Sequence, residues 1–162
     1  MIKSTIIAML LISIITLSSW LMPSSGRDDL PYPEGYRNWT HVKTSLSKSG
    51  VASHMGFQHI YANEKALAGY VAGKFVNGSV FAFDVLESME QPNGNLQEGS
   101  RKLVDVMIKD SSKYSATGGW GFEEFKGNSK TERVIKTMAV QFCFNCHASA
   151  AKTDFVFSKY RE

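Results

Sequence analysis

Only two of the 162 residues are cysteine, Cys143 and Cys146, and neither has a third to pair with. A disulfide framework spread over the fold is thereby excluded, and no cysteine sits where a lipoprotein precursor needs one. An excess of one charge is also missing. The 18 Lys and Arg stand scattered among 15 Asp and Glu for a net charge of +3, so no basic patch marks a nucleic-acid partner. Internal repeats and low-complexity segments are absent, and the length suits a single core.

The N-terminus does carry a signal. Met1-Ile2-Lys3-Ser4-Thr5 is followed by an almost uncharged run from Ile6 to Met22 and by the small residues Ser24, Ser25 and Gly26. A charged start, an apolar stretch and a small-residue exit make residues 1–26 a signal peptide. An uncleaved membrane anchor is the alternative, since the run approaches bilayer-spanning length. Either way residues 27–162 are expected outside the cytoplasmic membrane, in the periplasm, as one domain with no membrane contact after cleavage.

Both cysteines fall in one motif, Cys143-Phe144-Asn145-Cys146-His147. On a helical turn, positions i, i+3 and i+4 share a face, so Cys143, Cys146 and His147 can address one ligand. Cys-x-x-Cys-His reads as a c-type haem attachment site: two thioethers to the vinyl groups and His147 as the axial ligand to iron. The expected cofactor is one covalent haem c per chain. Zinc is an alternative, with a fourth ligand from His41, His54 or His59. So is a structural disulfide. A thioredoxin-like redox site is disfavoured because no βαβ pattern surrounds the motif.

Alternating segments over residues 55–62, 79–86, 102–109 and 120–126 predict strands. Asn63 caps a short helix with Glu64 in its first turn, Leu67, Tyr70 and Val71 on one face and Gly73 as its stop. Pro92-Asn93-Gly94 breaks a polar loop. Ser129-Lys130-Thr131-Glu132 fits a capping box, and Val134, Ile135, Met138, Ala139 and Phe142 recur at helical spacing up to the motif. The fold expected is α+β but mainly β: an antiparallel sheet with short helices and a C-terminal haem-attachment helix.

Small helical cytochromes c carry the motif near the N-terminus, unlike this chain. The segments Tyr36-Arg37-Asn38-Trp39, Phe75-Val76-Asn77-Gly78-Ser79-Val80, Lys109-Asp110-Ser111, Trp120-Gly121-Phe122, and Cys143 to His147 followed by Lys152-Thr153-Asp154-Phe155-Val156-Phe157 resemble, in that order, the cytochrome P460 family. That family includes the cytochromes c-prime-beta. The resemblance implies a periplasmic, β-rich homodimer with His147 proximal to iron and the opposite iron position open. It also implies one of two activities. The P460 enzymes oxidise hydroxylamine and carry an extra bond from a lysine to the haem macrocycle. The c-prime-beta proteins lack that bond and bind nitric oxide or carbon monoxide.

The enzymes' lysine ends a Gly-Thr-Val-x-Val-Lys pattern, and the matching run here is Gly78-Ser79-Val80-Phe81-Ala82-Phe83. Phenylalanine cannot form the bond. An aromatic face at that place favours small neutral gases such as nitric oxide, with electron transfer as an accompanying role, and a hydroxylamine- or peroxide-using oxidoreductase is the alternative. Phe83, and Phe57 from the preceding strand, are the candidate residues over the open iron face, each weighed against ordinary core packing. His54 and His59 are candidate sixth ligands, and Met55, Met107 and Met138 are read as core fillers. Lys74 and Lys102 could supply a cross-link from another direction, and Glu123 or Glu124 could accept a proton near the pocket. The sequence names no redox partner.

Overall fold

The computed structural model describes residues 30–161; the expected signal peptide lies outside the described residues. Five antiparallel strands form one sheet in simple sequence order: β1 (Thr40–Ser47), β2 (Gly56–Ala62), β3 (Val80–Glu90), β4 (Leu96–Lys109) and β5 (Trp120–Lys126). Four of these answer the expected alternations. β1 is an addition, and β3 and β4 run further than expected, as a polar ribbon closed by a turn at Gly94. No helix among the described residues is long and apolar enough to cross a membrane.

The ladder register assigns each strand position a face. Ala82, Val104, Val106 and Phe125 look one way, under Tyr36 with Tyr32, Trp39 and Tyr61 around it. Phe81, Met107, Trp120 and Phe122 belong to the other core, packed against Ala66, Phe75 and Val156, with Cys143, Phe144 and Phe155 at its margin. Full burial of a side chain such as Phe125 contributes about 1.5–3 kcal/mol, so both faces hold the sheet.

One helix, α1 (Glu64–Ala72), links β2 to β3 on the second face. Asn63 caps it as expected, its side chain accepting from the Ala66 amide at 3.0 Å, and Gly73 ends it at φ +69°. The packed side differs from expectation at one place. Val71 is 84 % exposed, whereas Ala66 is fully buried and Gly69 lies under the Phe75 ring, where an added Cβ would come within 2.1 Å of Cδ1.

The capping box does not open a helix. Ser129 Oγ accepts from the Thr131 and Glu132 amides, but the Glu132 carboxylate turns to Lys126 Nζ. The next residues instead pair with the open edge of β5, through a bridge between Phe125 and Arg133 and a bond from the Val134 amide to the Glu124 carbonyl. An unpaired strand edge competes well for backbone groups, so helical geometry starts only at Lys136–Met138. It continues as a π turn, Val140–Phe144, an α turn, Asn145–His147, and a 3-10 turn, Ala148–Thr153.

Candidate haem site

His147 is fixed from three sides. Its Nδ1 lies 2.7 Å from the Phe155 carbonyl oxygen, and its ring is flanked by Phe122 and Phe157 at centroid distances of 5.0 and 4.9 Å. A carbonyl oxygen can only accept, so Nδ1 donates and a neutral imidazole leaves the Nε2 lone pair free for a metal. Burial lowers the His147 pKa and keeps the ring in that neutral form.

The carbonyl reaches back because Asp154 and Phe155 take φ +50° and +67° in succession, a costly region for residues other than glycine. Several bonds offset that cost. Asp154 accepts from Lys109 Nζ at 2.6 Å and from the Phe75 amide at 3.0 Å, and its carbonyl accepts from Trp120 Nε1 at 2.9 Å. Phe155 rests on Gly118, where an added Cβ would meet its ring at 2.2 Å. The sheet therefore holds the peptide that holds the histidine.

Cys143 is half-buried and Cys146 exposed, both as free thiols. Burial, with help from Asp105, Glu124 and Glu123, pushes the Cys143 thiol up to about 12. A redox Cys-x-x-Cys needs the opposite shift, so that reading finds no support. Zinc fares no better on these residues. His41 and His59 are tied to each other through Thr44, and His59 lies opposite Asp84, in the register of the other sheet face. The convergence of histidine, cysteine and carboxylate ligand atoms found among the described residues is His54, Asp105 and Glu124, with no cysteine in it. The residues do fit a haem: two free thiols one helical turn apart, an oriented imidazole, and Phe157, 56 % exposed against that imidazole, as apolar surface for a macrocycle to cover.

Phe83 lies on the same sheet face. It pairs across the ladder with Asp105, and Asp105 pairs with Glu124, one row along from Phe81, Met107 and Phe122. Its ring neighbour is His54, at 6.1 Å between centroids. Phe57 is not brought there: it pairs with Leu86, in the alternation of His59 and Tyr61, on the opposite face. His54 is engaged at both nitrogens, Nε2 at 2.7 Å from Asp105 Oδ2 and Nδ1 at 3.0 Å from Ser53 Oγ. The Asp105 bond above all raises its pKa.

The remaining candidates separate clearly. Glu123 turns to Arg133 and to the Lys136 amide, whereas Glu124 joins Asp105 and His54, and burial with Asp105 beside it pushes its carboxyl up to about 7. Lys102 Nζ donates to the carbonyls of Ala52 and Met55, and Lys74 lines a surface hollow beside Phe75 and Asp154. Met107 is core, while Met55 and Met138 are exposed. The sequence places Asp105 on the alternating 102–109 strand but gives it no site role; its place opposite Phe83 is a matter of strand register.

No curated protein matches the chain. The cytochrome P460 family model matches residues 33–158, the bulk of the sequence and the whole of the sheet and haem-motif region. With its five-stranded sheet and its C-terminal Cys-x-x-Cys-His run, the chain belongs to the cytochrome P460 family.

Proposed function

We propose that this haem protein is an exported c-type cytochrome, one haem per chain, that binds nitric oxide or a similar small gas at the iron face opposite His147. Family membership carries the haem. Cys143 and Cys146 would hold it by thioethers and His147 Nε2 would ligate its iron, with the iron supplying the gas-binding position. The observation that carries the gas reading is Phe83 at the place of the family's cross-linking lysine. Lys102 is in keeping with it, since its ammonium is spent on two backbone carbonyls. An unmodified macrocycle follows from that reading. Export to the periplasm and assembly as a homodimer complete the proposal.

Optical spectra of the purified oxidised and reduced protein, with and without nitric oxide, test it. A normal high-spin haem c spectrum that shifts with the gas is the expected result. A ferrous protein indifferent to nitric oxide overturns the gas reading, and loss of the haem on denaturing electrophoresis overturns covalent attachment.

A second reading has its own support. Glu124, with a carboxyl near neutrality, can take up and release a proton at physiological pH, as oxidation of hydroxylamine or use of peroxide requires. Steady-state turnover with either substrate, lost in Glu124→Gln, is the outcome that would favour it. No turnover with both substrates ends it.

A further inference from the structure

Among the described residues, the buried carboxylates Asp84 and Glu123 and the mostly buried Asp154 are each met by a strong cation. Asp84 closes on Arg101 at 2.7 Å and on Arg37 at 2.8 Å, Asp154 on Lys109 at 2.6 Å, and Glu123 on Arg133 at 3.3 Å. Glu124, only 7 % exposed, is treated differently. It meets His54 Nε2 at 4.0 Å, and that nitrogen is already 2.7 Å from Asp105. Two carboxylates thus share one imidazole, and with both ionised even a protonated ring leaves a surplus negative charge in a half-buried place.

The three groups converge from rigid positions. Asp105 and Glu124 are direct cross-strand neighbours on β4 and β5. His54 ends a 3-10 turn, Ala52–His54, that Lys102 fastens from both ends through the carbonyls of Ala52 and Met55. Ser53 Oγ meets His54 Nδ1 at 3.0 Å, so the outer nitrogen is held and Nε2 faces the carboxylates, the arrangement by which a second group orients a metal-ligating histidine. One ligand atom from each residue lies within 4.8 Å of the others. Asp105 and His54 keep 26 % and 32 % of their side chains exposed, which leaves a way in and room for water ligands.

We propose that His54, Asp105 and Glu124 bind one divalent transition-metal ion, distinct from the haem iron. One imidazole and two carboxylates suit zinc, iron or manganese better than the softer copper(I), and three protein ligands leave coordination positions open. The ion would replace the proton that the cluster otherwise keeps and would sit beside Phe83, on the sheet face that the haem motif packs against. It requires neither gas binding nor turnover by the haem.

The test uses untagged, haem-loaded protein stripped with a chelator and dialysed against zinc chloride. Metal analysis then counts zinc per chain, and haem is quantified separately on the same sample, so a failure of haem loading is distinguishable from a failure of this site. One zinc per chain is expected, weakened at least ~10-fold in His54→Ala and in Glu124→Gln, with His41→Ala as a histidine variant that changes nothing. The conservative Glu124→Gln guards against loss of fold, read from its haem content. Haem-loaded protein that retains no zinc overturns the proposal, as does zinc retention equal to the parent in both site variants or lost in His41→Ala.

Discussion

His147 has its proton placed by a backbone oxygen and its ring clamped between Phe122 and Phe157, which leaves Nε2 for the axial role proposed above. On the covalent attachment proposed above, His147→Ala should keep its haem through denaturing electrophoresis but lose the parent ferrous spectrum until free imidazole restores it. Glu124 yields a pH prediction. Its carboxyl titrates near 7 in the folded chain against 4.5 ordinarily, so the folded state binds a proton that the unfolded state has released between those values. The stability so gained is full below pH 4.5 and lost as pH rises through 7. In chelator-treated protein, Glu124→Gln should therefore raise Tm above pH 7, with the advantage vanishing below pH 4.5; thermal melts across that window decide it. Cys143, Cys146 and His147 stand out as candidates in the sequence because their spacing is local, within five consecutive positions. The contact between His54 and Asp105 spans 51 positions, and that Phe57, the secondary candidate beside Phe83, faces the other way is a matter of strand register.

Among the elements, α1 is the one most completely written in the sequence, since its start and stop both lie in residues that touch it. Asn63 does more than cap. Its side chain also accepts from the Val80 amide and donates to the Gly78 carbonyl, tying the helix start to the turn that launches β3. Asn63→Ala should cost about 2 kcal/mol, the upper end for a cap, measured as a lowered urea midpoint with unchanged slope. The C-terminal run was the least legible element. Its helical spacing is real, but Val134 and Arg133 are drawn to the edge of β5, and Lys136 begins the run at φ +49° with its amide bonded to Glu123. Spacing records which side chains share a face and says nothing of a neighbouring strand with free backbone groups.

For the molecule as a whole, the keystone is Asp84, fully buried on the face opposite the haem motif. Burial alone would push its pKa up, but hydrogen bonds from Arg101, Tyr36 and Arg37 outweigh that and hold it below the ordinary value. Its contribution is present above the ordinary carboxylate range and lost as pH falls through the depressed value. Asp84→Asn leaves two guanidinium groups facing a neutral amide and should cost about 3–5 kcal/mol, seen as a lower Tm near neutrality that converges with the parent in acid. The mainly β fold was legible from the alternating strands, whereas this network was not, since Tyr36 and Asp84 meet only once the N-terminal segment folds over the sheet. The bond from His147 to the Phe155 carbonyl reaches further. A main-chain oxygen is present whatever amino acid occupies position 155, so a substitution there does not remove the acceptor of the His147 bond, whereas the Asp154 contacts that aim it are side-chain bonds. His54, Phe83, Asp105 and Glu124 enjoy no such protection, because each acts through atoms that one codon change removes. The molecule is thus unequally open to mutation: the acceptor behind His147 is copied with the backbone, whereas the residues that would choose what meets the iron can be rewritten one at a time.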